Sequence, residues 1–187
     1  MADRSSAARR GTFDDRRRSI AYTAAVTSPF FANSYVRMLY QHLGLRSDAE
    51  RARFVAGTDC NPEELMQVGT TLPFATQMQL CENALAMTPP GLGLRLGVQL
   101  QLAAHGPLGT AALHAESLRQ GLETFAELLP SRASFYTLHL ACDVDGAEVG
   151  FQMSGLPKAL QPFFAEAILH SLSHCVTVFS GRSDGLL

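Results

Sequence analysis

The residues with the clearest potential for chemistry lie near the end of the chain, where Glu166, His170 and His174 recur at intervals of four residues. On a helix this spacing places all three side chains on one side. Two imidazoles and a carboxylate in that arrangement can bind zinc or another borderline metal ion. The HExxH sequence of zinc proteases does not occur. The alternative interpretation is a polar helix face opposite an apolar stripe that includes Phe164 and Ile168.

Three other polar features can orient a ligand. Arg95 is a lone charge inside an apolar run, where it can pair with a ligand carboxylate or form an ion pair with Glu82 or Glu123. His139 lies on a predicted strand, and it either orients a ligand on a covered face of the sheet or contacts water on an open one. His105-Gly106-Pro107 predicts a turn, because glycine supplies unusual dihedral angles and proline fixes the next one. Its imidazole can also lie at the mouth of a pocket.

Aromatic and sulfur-containing side chains are abundant, with 11 phenylalanines and 6 methionines in the chain. Most of them are expected in the core, and such side chains also shape adaptable cavities for apolar compounds. An amphipathic or carboxylate-bearing small molecule is the ligand that this composition favours. The predicted ligand-binding residues are Phe74, Met78, Arg95, His139, Phe151 and Phe164.

The common nucleotide-binding and hydrolase motifs do not occur in the sequence. Gly91-x-Gly93-x3-Gly97 lacks the GxGxxG spacing and the preceding strand of a dinucleotide site. Neither a P-loop nor a GxSxG elbow is present. We therefore expect no enzyme activity and no cofactor.

Composition indicates one folded domain. The chain has 187 residues, of which 47% are hydrophobic and 17% are charged, enough apolar content for a real core. The net charge of −2 does not indicate a nucleic-acid-binding surface for the chain as a whole. The apolar runs are too short to span a bilayer, and the Arg-rich N-terminus has no secretory signal. The four cysteines are not closely paired, which is typical of a reduced, cytoplasmic protein without a membrane partner.

The sequence predicts an α+β fold. Alternating residues predict a hairpin near 135–153, with Asp145-Gly146 as its turn. One hairpin alone is only marginally stable, so it needs helix packing or further strands. Short N-terminal helices therefore accompany a small antiparallel sheet and a long C-terminal helix. Six helices are predicted. Four of them run over about 34–43, about 47–56, from Pro73 to about Met87, and from Pro162 to about Ser180. The other two are a short helix that begins at Asn61 and a helix that begins at Ser117.

Three segments carry a resemblance to a known family: LGLRLG, HGPLG-x-A-x-L and SLRQGLETFAELLP. Together they resemble the N-terminal regulatory, arabinose-binding-type domain of AraC/XylS transcription regulators. The motifs match from about Leu85 to Phe151, and more loosely from Ser34 to Gly181. The family commonly has Ser-Pro-Thr where this chain has Ala115-Glu116-Ser117, which keeps a serine as the helix cap.

The resemblance implies a domain that senses a small-molecule effector, forms a homodimer and controls DNA binding by a C-terminal helix-turn-helix domain outside this sequence. The expected organisation is a disordered basic tail over 1–28, a single ligand-sensing domain over 29–181, and the start of a linker over 182–187. The tail is a solvated leader or an arm that contacts DNA phosphates. Two other functions remain open: a free-standing metal- or haem-binding protein that uses His170 and His174, and an interaction module without a ligand.

Overall fold

The computed structural model describes residues 18–22, 29–67, 69–142 and 147–180. Strands β1, β2 and β3 span Arg18–Tyr22, Tyr136–Cys142 and Ala147–Met153. Short 3-10 helices lie at Leu102–His105, Leu129–Ser131 and Lys158–Leu160. Helices α1 to α8 span Asn33–Leu43, Asp48–Phe54, Pro62–Leu65, Phe74–Met87, Leu92–Gly97, Pro107–Leu113, Leu118–Leu128 and Gln161–Ser180. The predicted α+β class, with short N-terminal helices and a long C-terminal helix, is confirmed.

Local chemistry explains where several helices begin. The Ser47 hydroxyl accepts a hydrogen bond from the Glu50 amide, and the Glu50 carboxylate accepts one from the Ser47 amide, which completes a capping box at α2. The Asn61 side chain caps α3, with Pro62 in the first turn. The Ser117 hydroxyl caps α7 by accepting from the Gln120 amide at 3.2 Å. In this way, backbone N–H groups that have no acceptor within their own helix donate to a side chain.

The sheet has the order β1-β2-β3, and both neighbouring pairs are antiparallel. Leu138 and Leu140 on β2 are buried, and they pair with Phe151 and Val149 of β3. These residues share one face because side chains alternate along a strand. The predicted hairpin is confirmed in its two strands, and its turn at 143–146 lies outside the described residues.

Strand β1 lies within the segment 1–28, for which the sequence predicts a disordered tail. Arg18–Tyr22 pairs with β2, with Ile20 opposite Leu140. The backbone hydrogen bonds of this pairing hold a segment that the charge pattern alone marked as solvated. The rest of the predicted tail, 1–17 and 23–28, and the predicted linker over 182–187 lie outside the described residues.

Glycines bring α5 into close contact with α8. A Cβ atom on Gly93 would lie 2.7 Å from the Glu166 Cβ, and one on Gly97 would lie 2.6 Å from the His170 Cβ. No real Cβ contact is that short, so only glycine permits this approach. A third glycine, Gly121 on α7, faces the Phe179 ring at the other end of α8 in the same way. Within residues 18–22, 29–67, 69–142 and 147–180, no helix has the length and apolar character needed to cross a membrane.

Candidate functional site: an internal cavity

A cavity of about 40 Å³ lies in the core between α1, α4, α5, α8 and the start of β2. All of the residues around it are buried, so it is an interior space. Five of them come from α8, which makes this helix the largest contributor to the wall. The lining residues are Phe31, Tyr35, Leu39, Cys81, Leu96, Leu100, His105, Leu129, Ala133, Tyr136, Phe163, Phe164, Ala167, Ile168 and Ser171.

A chain of hydrogen bonds crosses this apolar wall. The Tyr35 hydroxyl lies 2.7 Å from His105 Nδ1, and His105 Nε2 lies 2.8 Å from Ser171 Oγ. The Ser171 hydroxyl also bonds to the Leu100 carbonyl oxygen at 3.1 Å. Tyr35 is on α1 and Ser171 is on α8, so the chain ties these helices together through His105.

The donor and acceptor in each hydrogen bond follow from the Leu100 carbonyl group, the last member of this series. The Leu100 oxygen only accepts, so the Ser171 hydroxyl donates to it and accepts from His105 Nε2–H. Nδ1 then accepts from the Tyr35 hydroxyl. The pKa of His105 is lowered to about 4, mainly by burial; a hydrogen bond with the Leu100 backbone acts in the opposite direction, and the nearby Arg132 and His174 act in the same direction as burial. The imidazole is therefore neutral near pH 7, which this arrangement requires.

Two more groups shape the polar side of the cavity. The Tyr136 hydroxyl donates to the Phe164 carbonyl oxygen at 2.7 Å, and burial raises the pKa of this phenol. The Arg132 guanidinium lies 5.3 Å from the centre of the Tyr35 ring. Burial also raises the pKa of the Tyr35 hydroxyl, although Arg132 acts in the opposite direction. Both phenols are thus neutral donors, each with its proton already in a hydrogen bond.

Of the residues predicted to bind a ligand, Phe164 lines the cavity. Three others lie elsewhere in or against the core. The Phe74 ring is 6.1 Å from that of Phe135, Met78 is buried, and the half-buried Phe151 ring is 6.4 Å from that of Tyr136. These three residues were predicted because they are apolar, and apolar residues are expected in the core. A position in the core does not by itself place a side chain at this cavity.

The two polar candidates, Arg95 and His139, are not among the residues that line the cavity. Arg95 is exposed, and its guanidinium donates to the carbonyl oxygens of Pro89 and Pro90 at 2.8 Å each. The bonds to Pro89 and Pro90 replace the ion pair expected with Glu82 or Glu123. His139 is half-buried on β2, and its Nε2 is buried without a hydrogen-bond partner among the described residues.

The alternative of a metal site at Glu166, His170 and His174 is not supported. In the part of the chain that the structure describes, no three His, Cys, Asp or Glu side chains group as metal ligands would. Glu166 and His170 instead face the glycines of α5, and they occupy the space that Gly93 and Gly97 leave open. The four-residue spacing of these polar residues is thus part of a helix-packing surface.

Sequence reasoning missed Tyr35 and Ser171, and it placed His105 in a turn. The turn is present, since Gly106 has a φ of 63° and Pro107 begins α6. His105 itself is buried, with 3% of its surface exposed. The available signal was a histidine among apolar residues, which predicts burial with satisfied hydrogen bonds but does not name the partners.

The cavity is suited to binding and not to covalent chemistry. Burial raises the pKa of Cys81 to about 12, so the one thiol in the lining is not a nucleophilic thiolate. Ser171 donates its proton to a carbonyl oxygen, so no base activates it. The lining contains no acidic residue, lysine or arginine.

A family model described as the arabinose-binding domain of the AraC transcription regulator, N-terminal, matches residues 49–183. The match covers α2 to α8 and so includes most of the cavity wall. No curated protein matches the chain.

Proposed function

Because this chain belongs to the family of arabinose-binding N-terminal domains of AraC transcription regulators, we propose that it binds a small-molecule effector in the internal cavity and thereby controls DNA binding by a separate C-terminal domain. The family is one of ligand-sensing regulatory domains and not of enzymes. We accordingly assign no catalytic step. The protein acts in the cytoplasm, where its DNA target is.

The observation that carries this proposal is the contribution of α8 to the cavity. This helix supplies Phe163, Phe164, Ala167, Ile168 and Ser171 to the wall. It is also the described element nearest to the point at which the family resemblance places the linker. A compound in the cavity therefore contacts directly the helix that would report its presence.

The mechanism is a shift between two arrangements of α8. An effector changes the balance between them only if it binds one more tightly. At the N-terminal half of α8, the effector contacts the cavity wall and the Ser171 hydrogen bonds. At the other end, Phe179 rests against Gly121 without room for a Cβ atom, so a movement of α8 must displace either the ring or α7. Coupling of this kind is typically worth about 1–3 kcal/mol.

We also propose that the domain forms a homodimer through the outer surface of α8. Leu169 is 50% exposed and lies on the side of this helix opposite the buried Ser171. Regulators that read paired half-sites are commonly dimers. Light scattering on the purified chain would give the mass of a dimer, and Leu169→Glu would give the mass of a monomer. A monomer in the unsubstituted chain would contradict this part of the proposal.

Thermal unfolding with a panel of small molecules tests the sensor proposal. A compound that binds the folded state raises the midpoint temperature. Cys81→Leu fills the cavity and should remove that increase. Cys175→Leu is the matched control, because it makes the same change at another buried helical cysteine that does not line the cavity. Equal increases in both variants would place the binding site elsewhere. An interaction module would respond to no compound in the panel.

A further inference from the structure

We propose that the effector is a small uncharged alcohol or phenol, which donates one hydrogen bond from an otherwise apolar body. This inference rests on the proposed function, since it assigns a chemical class to the compound that the cavity takes. Three properties of the lining support it: where its polar protons are committed, which charges it lacks, and how large it is.

All three hydroxyl protons in the lining are already committed. Tyr35 donates to His105 Nδ1, Ser171 donates to the Leu100 oxygen, and Tyr136 donates to the Phe164 oxygen. Both nitrogens of the neutral His105 are bonded as well. The Ser171 and Tyr136 oxygens still have capacity to accept, because a hydroxyl oxygen has two lone pairs and Ser171 uses one of them for His105. The Tyr35 oxygen already interacts with the Arg132 guanidinium. Any polar group of a ligand that leaves this arrangement intact must therefore donate.

The charge of the lining excludes ionised ligands. A carboxylate in the cavity would have no cationic residue in the wall to pair with, and an unpaired buried charge is strongly unfavourable. The nearest guanidinium, Arg132, lies over the Tyr35 ring and donates to Ser34 Oγ. It does not line the cavity. An ammonium group is equally disfavoured, because the wall contains no acidic residue.

The same accounting disfavours a sugar despite the name of the family. A sugar carries several hydroxyl groups that each donate and accept, whereas the wall offers only the remaining acceptor capacity of the Ser171 and Tyr136 oxygens. The other lining atoms come mainly from Phe, Leu, Ile and Ala side chains. A buried pentose would therefore leave several hydroxyl groups without partners, and each of them would weaken binding.

Size limits the ligand further. The cavity measures about 40 Å³, whereas a dry cavity of roughly 150 Å³ in another protein accepts benzene. A single ring therefore requires part of the wall to move outwards. We assign this movement to Leu96, the lining residue on α5, the helix that meets α8 through Gly93 and Gly97. Binding would then alter the contact between α5 and α8.

The test compares four probes by calorimetric titration of the whole 187-residue chain: phenol, toluene, benzoate and arabinose. Phenol and toluene have nearly the same shape and differ in the donor. We expect phenol to bind about fivefold more tightly than toluene, the effect of one neutral hydrogen bond. Benzoate and arabinose should give no heat of binding.

A matched pair of variants locates the acceptor. Ser171→Ala removes one acceptor from the wall, and the vacated His105 Nε2–H can still bond to the Leu100 oxygen. Ser173→Ala makes the same change on α8 at a residue that does not line the cavity. The preference for phenol should fall in the first variant and persist in the second. Tyr136→Phe repeats the test at a second acceptor.

Three outcomes overturn this assignment, and they bear differently on the proposed function. Equal binding of phenol and toluene removes the donor requirement. Binding of benzoate or arabinose that Cys81→Leu abolishes shows a sensor of a different ligand class, so the proposed function stands. If no probe binds, the alcohol or phenol class fails and the cavity loses its support as an effector site.

Discussion

Acidification should destabilise the fold through His105. Its pKa in the folded protein is about 4, against an ordinary value of 6.5. In the unfolded chain this imidazole takes up a proton as the pH falls below 6.5, while the buried ring stays neutral. The unfolded state therefore binds more protons between these two values, so stability rises with pH across the window and is fully present above 6.5.

The size of the effect follows from the same two pKa values. At about 1.4 kcal/mol per pH unit, the whole window corresponds to about 3 kcal/mol, of which about 2 kcal/mol is lost between pH 7 and pH 5. The measurement is best made in the upper part of this pH window, because carboxylates are still ionised there. Glu50 is an example: hydrogen bonds at the α2 cap lower its pKa, so its contribution to the free energy of unfolding is lost only at lower pH.

Urea denaturation at pH 7 and pH 5 measures this difference. In the His105→Gln variant, which keeps a donor and an acceptor but does not titrate in this range, the loss between the two pH values should be smaller by about 2 kcal/mol. The His114→Gln variant is the control, because His114 is exposed at the end of α6. If His105→Gln retains the full pH dependence of the natural sequence, the assignment of a neutral, buried imidazole is refuted.

Three further perturbations address other parts of the structure. Gly97→Ala would place a Cβ atom 2.6 Å from that of His170, so it should lower the free energy of unfolding by about 1–3 kcal/mol; Val98→Ala at the neighbouring exposed position should change it little, and equal effects would argue against the close contact of α5 with α8. Ser47→Ala removes the capping box shared with Glu50 and should cost about 1 kcal/mol by urea denaturation, whereas no loss would mean that water satisfies the same amides. Zinc titration of the purified chain should produce no shift in the unfolding temperature, and a saturable increase would support the alternative of a metal site on α8.

Local signals in the sequence predicted much of the fold. Asn61-Pro62 and Ser117 each mark a helix start by a side chain that accepts from a free amide. The hairpin was predictable because alternation extends over both strands around a two-residue turn signal. These features depend on residues close together in the chain. The strand β1 was not predictable in this way, because it exists only through pairing with β2, which lies more than 110 residues further along.

The candidate site was much less predictable, because it depends on contacts between distant segments. Tyr35, His105 and Ser171 are separated by 70 and 66 residues along the chain. Nothing in the sequence near any of them names the other two. The ion pair expected for Arg95 with Glu82 or Glu123 is replaced for a similar reason, since its acceptors are the backbone carbonyl oxygens of Pro89 and Pro90, which follow α4 and carry no side-chain signature.

The two phenols in the cavity wall also give the protein an optical reporter of its own. The chain has no tryptophan and only 4 tyrosines. Two of these, Tyr35 and Tyr136, line the cavity with their hydroxyl groups in hydrogen bonds. The near-ultraviolet absorption of a phenol changes with its hydrogen bonding and surroundings. A guest that displaces or joins these bonds should therefore alter the tyrosine spectrum of the unlabelled protein, without a dye or an introduced chromophore.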